Sequence, residues 1–440
     1  MDEKDSRLDN FSDGEYTDIR RKLRLSSWWK VTSVHTSFNL PEFPDTPDGV
    51  SKGTDSWRTE RLGRTTIRIE ASRRRRYHCP NCGKLAPIYQ IVRRRLTHLQ
   101  YLGYDCTLDV GIPKLDCECG KHRIPFPAAR DHVSYTIDFE KEVLRGLLTG
   151  TVAGTARRLG IGRWIAEDIL LHRVNSAFPE QDLSGVHTIY LDETQFSKGR
   201  NSYVTVICDQ THRVIFMTPG KTADTLERFL EHLKAHGGKP SDIRTVSADL
   251  SVSYESAVKR YLRHATLVFD RFHVVKLINT DMDAVRKRLM CLRNERSNRR
   301  RLPHVMYTLF MHEKNMDERH HDRLEEIRLM YPGVAQAYDM KETFCRIYEC
   351  RDRQEAEEYF EEWYNWVWYN GPKEFRKRAE FFRSKLKNIL SWFDEKVSNA
   401  VAESMNSMIQ KTKAAACGYT NLGNFISMCF FRFGRLTIRF

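Results

Sequence analysis

Nowhere in the 440 residues is there a long uncharged apolar run, which argues against a helix spanning a bilayer. The N-terminus, Met1-Asp2-Glu3-Lys4, lacks the apolar core of a secretory signal, so the chain reads as a cytosolic protein without a membrane partner. Internal repeats are missing too, which sets aside a solenoid array. Acid is in deficit: 58 Asp and Glu face 72 Lys and Arg, a net charge of +14. That imbalance points to a polyanionic partner, because a basic surface attracts phosphate and releases its counterions. A hydrophobic content of 40% is slightly low for one compact globule, and the length allows two to four domains.

The cysteines that are present are unevenly placed. Five of the 11 lie between Cys79 and Cys119, and in a reducing compartment such a cluster suggests metal rather than disulfides. Cys79-Pro80-Asn81-Cys82-Gly83 is a CxxCG knuckle, and Cys117-Glu118-Cys119-Gly120 is a shorter CxC partner. Four thiolates close a tetrahedral Zn²⁺ site, and the glycines let the backbone turn behind each pair. Cys79, Cys82, Cys117 and Cys119 are therefore the expected ligands of a structural zinc ribbon over residues 71–130. His122 or Cys106 is able to replace one of them, and unliganded thiols that merely cluster are the plainer alternative. Arg73, Arg74, Arg75 and Arg76, with Arg93, Arg94 and Arg95, would surround the site with charge suited to phosphate. Charge runs are also ordinary solvated faces.

Residues 1–70 are polar and partly irregular, with Pro41, Pro44, Pro47 and Gly49 marking a loop, although Thr65 to Glu70 alternates like a strand. Residues 131–180 read as helices. Val143, Leu144, Leu147 and Leu148 recur at helical spacing, and Thr151 to Val174 fits a helix-turn-helix with Gly160 in the turn. Arg157, Arg158 and Arg163 are its expected DNA contacts. Glu167 and Asp168 sit awkwardly on a helix that would read bases, and a plain helical hairpin has the same pattern.

From Gly185 the pattern changes. His187 to Asp192, Ser202 to Cys208 and Arg213 to Met217 predict three short strands; Asp224 to His236 predicts a helix with Leu226, Phe229, Leu230 and Leu233 on one face. Ile243 to Ala248, Tyr254 to Leu262 and Thr266 to Phe269 follow as strand, helix and strand. This order is α/β, and it is the one expected of a ribonuclease-H-like fold. Asp192 and Asp249 each end an apolar strand, where ligands gather in such sheets. A third acid, Glu403, lies on a predicted helix. Val401, Met405, Met408 and Ile409 form its apolar side, while Asn399, Glu403, Asn406, Gln410 and Lys413 form the other. Three converging carboxylates can hold two Mg²⁺ or Mn²⁺ ions, which take oxygen ligands and promote in-line displacement at phosphorus. Taken singly, a strand-end Asp is more often a turn or helix cap.

At these residues the sequence resembles the DDE-type transposases of bacterial insertion sequences, specifically the ISL3 family. Four stretches carry the resemblance: the knuckle at 79–82 with the helix-turn-helix after it; Leu191-Asp192-Glu193-Thr194 with the following strands; Ala265 to Lys276, containing Phe269-Asp270-Arg271-Phe272-His273; and Ser398 to Asn406 with Ala416-Cys417-Gly418-Tyr419 beyond. The resemblance implies a ribonuclease-H-like catalytic domain cleaving and joining DNA with the triad Asp192, Asp249 and Glu403. It also implies zinc-finger and helix-turn-helix modules that bind terminal inverted repeats, and a place on the bacterial nucleoid. Where the family's last motif has Glu-Gly followed by two asparagines, this chain has Glu403-Ser404-Met405-Asn406-Ser407. Asp270 and His273 are expected as supporting groups near the metals, or else as a helix cap and a packed ring.

The expected organisation follows: 1–70, the zinc module at 71–130, the helix-turn-helix at 131–180, the catalytic domain at 185–280 and 396–440, and an all-α insertion at 281–395. The insertion carries Arg293, Arg296, Arg299, Arg300 and Arg301, and then Tyr359, Phe360, Trp363, Tyr364, Trp366, Trp368 and Tyr369. Such a mixture suits distorted DNA, since bases stack on aromatic faces, but most of these rings are expected in a helical core. Residues 396–440 predict one amphipathic helix and a basic tail with Arg432, Arg435 and Arg439. Because two DNA ends must meet, a dimer or larger assembly on inverted-repeat and target DNA is expected. A catalytically inactive regulator derived from such a transposase, or a nuclease of branched DNA, shares the pattern; an intact triad favours the enzyme.

Overall fold

The computed structural model describes residues 13–38, 63–197, 203–220, 223–291, 305–395 and 400–440. They fall into two compact units, one ending at Leu170 and taking in Phe440, the other spanning Leu171–Arg439. Pro41, Pro44, Pro47, Gly49 and the arginines at 293, 296, 299, 300 and 301 lie outside the described residues. Among the described residues, no helix is long and apolar enough to cross a membrane.

The first unit opens with α1 (Asp13–Lys22) and β1 (Trp29–Phe38). Then come β2 (Gly63–Ala71) and a small hairpin of β3 (Tyr77–His78) and β4 (Leu85–Ala86). The long hairpin of β5 (Ile88–Tyr101) and β6 (Tyr104–Cys117) and the short β7 (Gly120–Arg123) complete the strands. The main sheet has the order β1-β2-β6-β5, with β7 also on β6. Period-two patterning explains β2: Thr65, Ile67 and Ile69 are buried, while Arg64 and Arg68 are exposed. Leu96, Leu108 and Val110 join Ile67 and Ile69 in the core, with Ile19 from α1 and Leu23 just after it against them. The sheet draws strands from both sides of position 70, so a boundary there would cut through one hydrogen-bonded layer.

Helices α2 (Ile137–Thr149), α3 (Val152–Leu159) and α4 (Arg163–Ala177) follow where helices are expected. Thr136 caps α2 by accepting from the Phe139 N–H, and Thr151 caps α3 by accepting from the Gly154 N–H. Gly160 ends α3 at φ 64°, a left-handed conformation that costs a glycine nothing. The start of α2 is tied to β5: Thr97 donates its N–H to the Ser134 carbonyl at 2.7 Å, and Thr136 donates to the Thr97 carbonyl at 3.0 Å.

The second unit holds β8 (Thr188–Gln195), β9 (Tyr203–Asp209), β10 (Val214–Pro219), α5 (Ala223–Ala235), β11 (Thr245–Ala248), α6 (Val252–Tyr261) and β12 (Thr266–Phe269). The sheet order is β10-β9-β8-β11-β12. The first three strands are antiparallel, and β8, β11 and β12 are parallel. This mixed α/β arrangement is compatible with the expected catalytic fold. β11 is buried along its whole length, as a central parallel strand covered on both faces must be. Leu226, Phe229 and Leu233 of α5 and Tyr254, Ala257 and Val258 of α6 belong to the core that includes Ile189, Leu191 and Val246.

Beyond the sheet run α7 (Arg271–Cys291), α8 (Val305–Phe310), α9 (Glu318–Met330), α10 (Pro332–Cys345), α11 (Arg353–Asn370) and α12 (Lys373–Glu395). Most of the aromatic cluster is core, as expected: Phe360 and Trp363 are buried, and the Trp363 indole donates to the Met340 carbonyl at 2.8 Å. Trp368 and Tyr369 are exposed, and Trp368 stacks on Tyr364. The C-terminal region differs from the single helix expected. It forms α13 (Ala400–Ala415) and α14 (Leu422–Phe433), and α14 buries Phe425, Met428, Cys429 and Phe430. Phe425, Met428 and Cys429 recur at i, i+3 and i+4, a short helical spacing that the turn at Cys417 and Gly418 separates from α13.

Candidate functional site

Strand register assembles the acidic site. In the parallel pairs, Tyr190 of β8 lies opposite Ser247 of β11, and Ala248 lies opposite Phe269 of β12. Two residues beyond the first pair are Asp192 and Asp249, which period two returns to the same side. One residue beyond β12 is Asp270, whose N–H continues the ladder to the Ala248 carbonyl at 3.1 Å. The carboxyl ends of three parallel strands thus converge at one edge of the sheet.

Asp270 is buried and does two jobs expected as alternatives. One oxygen accepts from the Phe272 N–H at 3.0 Å, capping α7, and the other meets His273 Nδ1 at 2.7 Å. The same Nδ1 also contacts Asp249. Asp192, Asp249 and His273 each bring one ligand-type atom within 4.8 Å of the others. Helix α13 lies along β8. Asn406 donates to Asp192 Oδ2 at 2.8 Å, Gln410 to Thr194, and Lys413 to the Gln195 carbonyl. Position 403 stands on this helix one turn before Asn406, but the Glu403 side chain lies outside those described. Asn399 and Val401 likewise contribute no described side chain. Met405 and Ile409 are buried as expected. Met408 is instead exposed, because the face that meets the protein is narrower than an apolar count suggests.

The electrostatics follow from the crowding. Burial, and then repulsion from Asp249, push the Asp192 carboxyl up to about 7, against the Glu193 N–H, His273 and the Asn406 amide. Burial opposes charge on His273, but its hydrogen bonds to Asp249 and Asp270 and their negative charge outweigh that and lift it to about 10. The metal-free site thus holds an imidazolium between two carboxylates. Asn406 Oδ1 is buried beside Asp192 without a hydrogen-bond partner. Carboxylate oxygens this close form a donor set of the type that hard divalent cations take, so the residues fit such an ion.

In the first unit the four cysteines converge. Cys79 Sγ is 3.5 Å from Cys119 Sγ, and Cys82 Sγ is 3.4 Å from Cys117 Sγ. The edge of a tetrahedron of thiolates about Zn²⁺ is roughly 3.8 Å, so the donor set and its spacing fit that ion. Gly83, at φ 73°, makes the turn behind the first knuckle, and Lys84 bridges to Glu118 at 2.8 Å between the two. Burial resists ionisation of Cys79, yet the backbone N–H groups of Cys82 and Asn81 and the thiols of Cys119 and Cys117 draw it down to about 6. Cys106 is excluded as a ligand: it is buried in the sheet core, and burial pushes its thiol up to about 12. His122 Nε2 lies 3.5 Å from Cys119 Sγ at the rim of the cluster.

The expected DNA-contacting arginines separate into groups. Arg73, Arg74, Arg75 and Arg76 are all exposed on a turn, and Arg75 lies over the Trp28 ring. Arg94 corrects the expectation. Alternation turns it to the other side of β5, where its guanidinium donates to the Arg130 carbonyl at 2.5 Å and to that of Val133. Arg93 is paired with Glu70 and Asp109, Arg158 with Glu142, and Arg163 with Glu167. The last pair resolves the awkward acids on α4. Glu167 is held by Arg163, and Asp168 accepts from the Tyr135 hydroxyl at 2.7 Å. Trp164 is then the large exposed side chain at the start of α4, at 67% exposure.

With this geometry in view, comparison with known proteins decides the family. A family model for ISL3-type DDE transposases, described as "Transposase", matches residues 189–429, more than half of the chain. The chain belongs to that family. The transposase for insertion sequence element IS1001 of Bordetella parapertussis is 25% identical over 347 residues, covering 78% of this chain and 85% of that protein. The transposase for IS1557 of Mycobacterium tuberculosis is 22% identical over 369 residues, covering 78% and 82%. This protein is thus an insertion-sequence transposase, and its family implies a divalent metal and DNA as partner. The matched segment begins on β8 and ends within α14, so it takes in both acidic strands and α13.

Proposed function

We propose that Asp192, Asp249 and Glu403 form the catalytic triad of a ribonuclease-H-like domain that cleaves and joins DNA at the ends of its insertion sequence. The observation that supports this most is the parallel register bringing Asp192 beside Asp249, with α13 held to Asp192 through Asn406. Glu403 precedes that anchor by one helical turn. Asp192 and Asp249, joined by Glu403, would hold a pair of Mg²⁺ or Mn²⁺ ions; such ions lower the pKa of bound water and stabilise the leaving oxygen. The chain's own groups prepare the site. The Glu193 N–H and the Asn406 amide orient the Asp192 carboxylate, and Asp270 fixes His273 against Asp249. His273 carries positive charge next to the acids and offsets part of their mutual repulsion before metal arrives.

In this reading the Cys79, Cys82, Cys117 and Cys119 cluster takes Zn²⁺ as a structural ion, since four ligands leave no open position. Helices α2 to α4 act as a helix-turn-helix that reads terminal inverted repeats, and a dimer or larger assembly on the nucleoid pairs two ends. The test is nicking of end-containing duplex in Mg²⁺ or Mn²⁺. Wild type cuts at the end, whereas Asp192→Asn and Glu403→Gln lose activity by a thousandfold or more (on the order of 4 kcal/mol of barrier). Either variant cutting at the wild-type rate would remove that residue from the triad.

A further inference from the structure

In the first unit, a cleft of 1570 Å³ opens between the outward face of the main sheet and the α3 side of the helical hairpin. Its floor is β2, β6 and β5, and its wall is α3 with the turn at Gly160. The two sides are fixed to each other. Beyond the Thr97 and Thr136 bonds, His98 Nδ1 meets the Thr136 hydroxyl at 2.8 Å, and Arg130 pairs with the fully buried Glu140 of α2 at 2.7 Å.

The cleft is lined by arginines in register. Arg68 of β2 pairs across Asp109 of β6 with Arg95 of β5. Arg64 lies four residues back along β2, about 13 Å away at the usual strand rise. Arg157 and Arg158 face in from α3. Three acids line the cleft. Asp109 is shared by Arg68 at 3.5 Å and Arg93 at 3.2 Å, Glu142 is held by Arg158 at 3.0 Å, and Asp105 stands opposite Arg64 in the strand register. Arg64, Arg95 and Arg157 are exposed, and none forms an ion pair with a carboxylate of the described residues. Flanking them on the floor are Thr66 and Thr97, small hydroxyl side chains that leave room for a close backbone approach.

We infer that this cleft is a second DNA-binding surface, which grips the phosphate backbone of the duplex beside the segment read by α4. Arg64, Arg95 and Arg157 carry the phosphate contacts. The ligand class is double-stranded DNA irrespective of sequence, because contacts to phosphate carry no sequence information. The inference rests on the first unit being the DNA-binding module of the transposase. It extends the electrostatic footprint from the arginine run at 73–76 to the sheet face.

The experiment measures binding of the full-length protein to a fluorescent duplex of mixed sequence, and to one carrying the element's end, between 50 and 200 mM salt. Each phosphate contact contributes about 0.9 to the slope of log affinity against log salt. The triple variant Arg64→Ala, Arg95→Ala, Arg157→Ala should lose roughly 3 from that slope on both duplexes. Wild-type affinity should then fall about 40-fold more than the variant's across that salt range. The triple Lys variant at the same positions should keep the slope. A single Thr97→Glu substitution, which adds an anion to the floor and leaves the arginines in place, should weaken binding to both duplexes. A wild-type slope in the triple Ala variant would overturn the inference while leaving end recognition standing. Wild-type protein that binds neither duplex would overturn the DNA-binding reading of the unit, and this inference with it.

Discussion

Replacing Asp192 by Asn should stabilise the metal-free transposase while destroying its metal response. Folding raises the Asp192 carboxyl from 3.8 to about 7, so at pH 8 the folded state carries a charge that its surroundings resist. The sign follows from proton linkage. The protonated acid is favoured in the folded state, so its contribution is complete below pH 3.8 and is lost as pH rises to about 7. A shift of that size corresponds to on the order of 4 kcal/mol at pH 8. The amide has one acceptor fewer, which would cost about 1 kcal/mol through the Asn406 contact. That loss is offset if the Asn406 side chain turns over, because its buried Oδ1 has no partner and can accept from the new amide. A net gain of roughly 3 kcal/mol raises the melting temperature by about 6 °C or more in a unit of this size. Thermal unfolding in EDTA at pH 8 reads that gain, and at pH 4 the two proteins should melt together. Mn²⁺ should raise the melting temperature of wild type and not of the variant. A variant that melts below wild type in EDTA, or that keeps the Mn²⁺ shift, would refute the account of a strained acid pair relieved by metal.

Three further outcomes test other parts of the molecule. Arg94→Ala should destabilise the first unit by about 1–3 kcal/mol, since it strips the donor from two backbone carbonyls, yet leave the salt dependence of DNA binding unchanged; paired denaturation and binding curves check this. Cys79→Ser should lower bound zinc from one equivalent to none by metal analysis, and a chelator should sharply increase proteolysis of residues 63–123 in wild type. His232 is held down to about 4, first by burial and then by the charge of His236 beside it. Its contribution to stability is full above pH 6.5 and is lost as pH falls towards 4, so His232→Phe should flatten the pH dependence of melting between those limits.

Local pattern made much of this protein legible. The seven elements from β8 to β12 occur in the expected order, because each is short, periodic and bounded by turn residues. The cysteine knuckles and the Gly160 turn were visible for the same reason: spacing and left-handed backbone are properties of a few consecutive residues. Side choice within a charged run was not legible. Arg93, Arg94 and Arg95 look alike in sequence, but a strand sends the middle one to the opposite face, where carbonyls hold it. The acids on α4 looked unsuited to DNA until Arg163 and Tyr135 were seen to occupy them. That His273 meets Asp249 and Asp270 through one ring nitrogen is likewise a matter of where α7 starts against β11 and β12, not of local pattern.

The sequence by itself determined which chemistry was available: two strand-end aspartates, a helical glutamate, four paired thiols and an excess of arginine. These are set by residue type and short-range spacing, which survive any arrangement of the elements. Only the tertiary structure decided which of those groups meet. Asp192 lies 57 positions from Asp249 and 214 from Asn406, and their meeting depends on parallel strand register and on where α13 docks. Likewise, the unpaired arginines of β2, β5 and α3 share one cleft only because β2 pairs with β6 across the intervening chain. Such pairings are fixed by long-range packing and hydrogen bonding, for which a single sequence carries no local signal.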